Sequence, residues 1–360
     1  MQAADFRCAI SAWTGPGVVS RSLRSIGVAL FMHLVKRVSQ VVSVSCAAIA
    51  LLAGGLAGCS GGGSTPQAAT QVAPPVSGPA LSTDETQIVS LSVNRSAAAA
   101  IGARVTRASA YASPIKGRQP QSLGLRQTES TSPNDLSFYG GPTVGSTQSI
   151  NIYVNCGNSC WGSSSPAVFE RNLGASTMIH LIDQYTGSTA SGRYTFGGSL
   201  TENYDTSTTL QDQDIYNLVH TAAASYGTGY GKIYHVFLQQ GVSLCSQSAG
   251  GCYAQQYCAY HGNVDFSDIG HALYSVEPYQ GINGCQASSL TNPTASTLSH
   301  ETFETITDPD VPQNVAWYNN SLGEIGDICA SNRGYVTLNG TQYYIQTEYS
   351  NRSHACRFST

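Results

Sequence analysis

Apolar and polar residues begin to alternate with a sustained period only after Leu136. Between Gln148 and Asn155, Ile150, Ile152 and Val154 alternate with Asn151, Tyr153 and Asn155, the period of a half-buried strand. Thr177 to Tyr185 places Ile179 and Leu181 on one face and predicts a second strand. Arg193 to Tyr204 predicts a hairpin around Gly197-Gly198. Lys232 to Leu244 predicts a long strand, with Ile233, His235 and Phe237 opposite Tyr234, Val236 and Leu238, and His271 to Tyr279 predicts another. The period becomes helical in Asp212 to Tyr226, where Ile215, Leu218, Val219, Ala222 and Tyr226 recur and acids occupy the first turn. Ala295 to Thr307 predicts a further helix, closed by Pro309. Tyr335 to Tyr349 predicts a hairpin turning at Asn339-Gly340. Helices and strands mix without strict β-α-β alternation, so residues 136–360 are expected to form one α+β domain with a mixed or antiparallel sheet.

The preceding stretch, residues 59–135, is rich in Gly, Ser, Ala, Pro and Gln and has no sustained apolar period. It predicts a flexible tether, with one short helix near Ser96 to Ala103; a cleavable pro-segment is the alternative. Upstream, an apolar run from Val41 to Gly58 follows Lys36 and Arg37 and ends in Leu56-Ala57-Gly58-Cys59. This ending resembles the bacterial lipobox. The resemblance implies a lipoprotein signal peptide at residues 32–58, cleavage before Cys59 and lipid on its sulfur. It also implies residues 1–31 as an upstream mis-start. With Ser60 after the cysteine, it implies an exported outer-membrane lipoprotein facing the periplasm or the cell surface.

Charge narrows the partners. From Leu136 to Thr360 there are sixteen acidic and six basic side chains, and Lys232 is the only lysine. Such a surface repels phosphate backbones and speaks against nucleic acid. Eight of the eleven cysteines fall in this region: Cys156, Cys160, Cys245, Cys252, Cys258, Cys285, Cys329 and Cys356. An even number in an exported chain predicts four disulfides, and local closure suggests pairing in chain order. The rival reading, a metal cluster, lacks a matching second pair of cysteines.

The candidate chemistry lies in the helix Ala295 to Thr307, which contains His300-Glu301-Thr302-Phe303-Glu304. His300 and Glu304 are four apart and project from one helical face, where both can reach one divalent ion. Glu301 points to the side, placed to take a proton from metal-bound water. This is the logic of the zinc-peptidase helix, with Glu in place of the second His. Ala295, Leu298 and Ile306 cluster on the opposite face. The bland alternative is an amphipathic helix with two solvated glutamates. Asp327 and Glu324, in Gly323-Glu324-Ile325-Gly326-Asp327, are the candidate third ligands, against a purely structural loop. Asp308 beside Pro309 reads as a helix stop, and His261 as a structural hydrogen-bonding residue rather than a ligand.

The stretches SHETFETITDP and AWYNNSLGEIGDIC, with QYCAYHG upstream and Phe138-Tyr139-Gly140-Gly141-Pro142 at the start, resemble bacterial relatives of the plant Exordium-like, phosphate-induced proteins. The resemblance spans about Phe138 to Cys356 and implies a zincin-like domain. It implies zinc held by His300, Glu304 and Asp327 or Glu324, Glu301 as the catalytic base, and a peptide or protein substrate. Plant members generally lack the His-Glu pair. The contrasting expectation is therefore a non-catalytic surface module that binds a cell-envelope ligand.

Overall fold

The computed structural model describes residues 89–92, 100–115, 118–121, 123–125, 132–161, 165–285 and 291–360. Cys59 and the expected signal peptide lie outside them. Where the period-two pattern is clearest the strands form as expected. In chain order they are β1 (Val89–Ser92), β2 (Val105–Pro114), β3 (Ser137–Phe138), β4 (Thr147–Val154), β5 (Tyr194–Asn203), β6 (Lys232–Leu238), β7 (Cys245–Ser246), β8 (Gly251–Cys252), β9 (Tyr257–Phe266), β10 (Gly270–Pro278), β11 (Trp317–Tyr318), β12 (Arg333–Leu338), β13 (Thr341–Gln346), β14 (Glu348–Ser350) and β15 (Ala355–Arg357). The helices are α1 (Pro166–Gly174), α2 (Asp183–Thr186), α3 (Asp212–Tyr226) and α4 (Thr291–Thr307).

Seven strands make one mixed sheet in the order β1-β5-β4-β6-β10-β9-β2. The first five are mutually parallel; β9 runs antiparallel to β10, and β2 antiparallel to β9. The chain leaves β4, passes through α1 and returns as β5, then crosses through α3 to β6 on the other side of β4. Reversing direction about β4 puts the two helices on opposite faces when both crossovers have the same hand. One face packs against α3, whose Ile215, Leu218, Val219 and Ala222 are fully buried. The other is covered by α1, by α4 and by the C-terminal hairpin β12–β13, through Phe169, Leu298, Phe303, Ile306, Tyr343 and Ile345. The fold is thus α+β, and the four cysteine pairs predicted by local closure stand at disulfide distance, with Cα separations of 6.1, 4.0, 5.3 and 5.7 Å.

Three local expectations need correction. Arg193 to Tyr204 is no hairpin: β5 runs straight through Gly197-Gly198, with a register shift opposite Ser149 and Ile150. A Cβ on Gly197 would come within 2.9 Å of the Gln148 and Ile150 side chains, so glycine there admits close strand packing rather than a turn. Ile179–Ile182 is a tight helical turn leading into α2 instead of a strand. It buries Ile179, Leu181 and Ile182 together, which a helical turn does as readily as a strand over so few residues. The tether expected over residues 59–135 also fails for its described part. There, β1 and β2 are strands of the main sheet, and Ala108, Ala110 and Ala112 face the α3-side core. Small alanines carry too little hydrophobic contrast for their alternation to stand out. Around the expected short helix, only residues from 100 onward are described.

Candidate metal centre

Strand register assembles the site. Asn151 pairs with His235, His235 with Ser275, Ser275 with His261, and His261 with Tyr111. One polar row therefore crosses five strands on the face that α4 and α1 cover. Side chains alternate along a strand, so the adjacent Ile152, Val236, Tyr274, Tyr260 and Ala110 all point to the other face. Helix α4 lies over the β9 and β10 end of this row. It is buried on every side from Ala295 to Thr307, which removes the reading of a helix with solvated glutamates. Its threonines bond back along the helix: Thr302 Oγ1 donates to Leu298 O at 2.6 Å, and Thr305 Oγ1 to Glu301 O at 2.6 Å. Those hydroxyls are thereby satisfied without solvent.

His300 and Glu304 converge as their spacing predicts, with Nε2 and Oε1 3.0 Å apart. Asp327 arrives on a tight turn after Gly326, its Oδ1 3.7 Å from the same nitrogen. The three ligand atoms lie within 4.8 Å of one another. Ligands about 2.1 Å from a tetrahedral cation stand about 3.4 Å apart, so these separations bracket the required edge. His261, Glu301 and Glu304 form a second such group. His261 Nδ1 is 3.3 Å from Glu301 Oε2 and 3.6 Å from Glu304 Oε2. Glu324 Oε2 lies 3.7 Å from His261 Nε2.

The electrostatics are those of a buried acid cluster set against two imidazoles. Among the described residues no lysine or arginine is buried, while Glu277, Glu301, Glu304, Glu324 and Glu348 are fully so. Burial, then the charge of Glu304, pushes Glu324 and Asp327 well above the usual carboxylate range. Burial works the same way on Glu304, but His300 and His261 outweigh it and bring that carboxyl down to about 2. Burial would lower His261, yet Glu301 and Glu304 hold it up at about 9. His261 Nε2, Glu301 Oε1, Glu304 Oε2, both Glu324 oxygens and Asp327 Oδ1 have no hydrogen-bond partner. An unpaired buried polar atom costs about 1–3 kcal/mol, and a charged one more. Such atoms converging on a small volume fit a bound cation. No family model matches the chain, and no curated protein or solved structure matches it either.

Around His300 the backbone comes unusually close. A Cβ on Gly326 would sit 2.6 Å from His300 Nδ1, and one on Gly323, whose φ is +88°, would sit 2.2 Å from Asp327 Oδ2. Gln346 places its amide 2.8 Å from His300 Nδ1, orienting the ring from behind. Ser113 Oγ stands 2.5 Å from Nε2, and Tyr111 donates to Asp327 Oδ2 at 3.1 Å. A cavity of about 240 Å³ opens here, lined by Ser113, Arg118, His300, Asp327, Arg333 and Gln346 among others.

Of the residues singled out by sequence, His300, Glu304 and Asp327 come together. Glu324 lies in the same cluster but on the His261 side. Glu301, expected to be a free proton acceptor, is instead engaged by His261 and does not line the cavity. Asp308 N donates to Glu304 O at 2.7 Å, closing the last turn of α4, and its Oδ1 accepts from Ala316 N in the following loop at 2.7 Å. Sequence reasoning missed Tyr111 and Ser113; His261, expected to make a structural hydrogen bond, makes one to Glu301. The alternation Ser109-Ala110-Tyr111-Ala112-Ser113 was the signal available for the first two.

Proposed function

We propose that this chain is an exported metal-dependent hydrolase, zincin-like in kind, acting on peptide or protein. The observation that carries the reading is the convergence of His300 Nε2, Glu304 Oε1 and Asp327 Oδ1 at the edge of a cavity. Bound there, a divalent cation such as zinc would polarise a substrate carbonyl and acidify water. The chain's own groups do the rest. Gln346 and Gly326 orient the imidazole, Tyr111 steadies Asp327, and Arg118 and Arg333 give the cavity a cationic rim. The four cysteine pairs support an oxidising compartment. No helix among the described residues is long and apolar enough to cross a membrane, and a lipid on Cys59 would supply the anchor. The resemblance to Exordium-like relatives supports the same assignment through its motifs.

Complete burial of Glu301, Glu304 and Glu324 favours a second reading, a structural cation in a non-catalytic surface module. One experiment separates them. The purified protein should contain metal and cleave unfolded casein, and His300→Ala should lose turnover by at least about 100-fold along with metal. Metal without turnover on any unfolded protein would leave the structural reading, and metal-free protein that folds normally would overturn both.

A further inference from the structure

Glu304 has two oxygens, and they face two different imidazoles. Its Oε1 is 3.0 Å from His300 Nε2, and its Oε2 is 3.6 Å from His261 Nδ1. On the first side Asp327 completes a group of three; on the second Glu301 does. The second trio is as well shaped for a cation as the first. Its separations from His261 Nδ1, 3.3 and 3.6 Å, match the about 3.4 Å edge of a tetrahedral site. We infer that the chain holds a pair of divalent cations bridged by Glu304, the second bound by His261, Glu301 and Glu304. This inference rests on Glu304 being a metal ligand, as proposed above, and gives Glu301 the role of ligand in place of free base.

One further observation points the same way. A cation at His300, Glu304 and Asp327 alone leaves Glu304 Oε2, on a fully buried side chain, without a hydrogen-bond partner. A second ion takes up that oxygen. Carboxylate-bridged cations stand about 3.5–4 Å apart, a spacing that the two oxygens of one carboxylate span. The donor set of one imidazole and two carboxylates suits zinc or manganese. Depth distinguishes the two positions: His300 and Asp327 line the cavity, whereas His261 and Glu301 do not, so the second ion exchanges more slowly.

The test is metal stoichiometry on the full chain, saturated separately with Zn²⁺ and Mn²⁺ and freed of excess. The expected result is two equivalents, released by chelator in a fast and a slow phase. The manganese form should give the spin-coupled electron paramagnetic resonance spectrum of a bridged pair. Glu301→Gln and His261→Gln should each keep one equivalent with an uncoupled signal and only the fast phase. His300→Gln should keep the slow one. Should a variant fail to fold, the wild-type count and its coupling decide alone. One equivalent at saturation, uncoupled and unaffected by His261→Gln, would overturn the pair while leaving the single-ion reading intact. No bound metal would overturn both.

Discussion

On the face of the sheet toward α3, Ile150, Ile152, Val154, Val236, Leu238 and Val276 pack against Ile215, Leu218 and Ala222. On the opposite face the same strands present Asn151, His235, Ser275, His261 and Tyr111 beneath α1 and α4. Both faces are buried, and one residue of register separates them. The apolar face stabilises the fold by itself, at about 25 cal/mol per Å² removed from water. The polar face adds to stability only where every buried group finds a partner. One side of the sheet buries an apolar cluster, and the other buries a row of polar and charged groups.

That contrast can be broken from either side. The largest effect is expected from stripping metal. A ligand present at about 1,000 times its Kd stabilises by about 4 kcal/mol. Chelator should therefore lower the thermal midpoint of the wild type by about 10 °C, at about 2–4 °C per kcal/mol for a domain of this size. Glu304→Gln should melt low and ignore the chelator, and calorimetry with and without it checks both. On the other face, Ile152→Ala should cost about 2–5 kcal/mol in urea unfolding while leaving metal content unchanged. Loss of metal in that variant would show that the faces are not independent.

A smaller effect is expected at the close contact. Gly326→Ala pushes a methyl toward the His300 ring and should cost about 1–3 kcal/mol together with weakened metal retention, read by equilibrium dialysis. The effect that vanishes at acid pH concerns Glu170, which α1 buries with its Oε1 3.3 Å from His235 Nε2. Burial raises Glu170 to about 8 and lowers His235 to about 3, so both are neutral near pH 7. A carboxyl whose folded pKa exceeds its unfolded value keeps a proton that the unfolded chain has released. Its contribution therefore falls as pH rises from about 4.5 to 8. Glu170→Gln should be close to neutral at pH 4 and should raise the midpoint by about 4 °C or more at pH 9, flattening the profile between. An unchanged slope would place the pH sensitivity elsewhere.

What sequence could disclose follows from how local each feature is. The helix Asp212–Tyr226 and the hairpin at Asn339-Gly340 were legible because a strong period or a positive-φ turn decides them within a few residues. The pairing of the cysteines was legible because the partners are near in sequence. His300 and Glu304 were legible because one helix fixes their spacing. Ser113 and Tyr111 were not, nor was the partner of His261, since only the register of β9 and β2 brings them beneath α4. Gly197-Gly198 misled because glycine serves a turn and a crowded strand equally well.

The reach of the site along the chain has a temporal consequence. Ser113 meets His300 across 187 positions, and Gln346 meets it from 46 positions further on. No partial chain that stops short of Gln346 can present the complete nest. On the proposed metal-dependent reading, ion capture would therefore be a late event, reached only once both ends of this span have docked, and the surroundings in which that happens would decide which element is taken up.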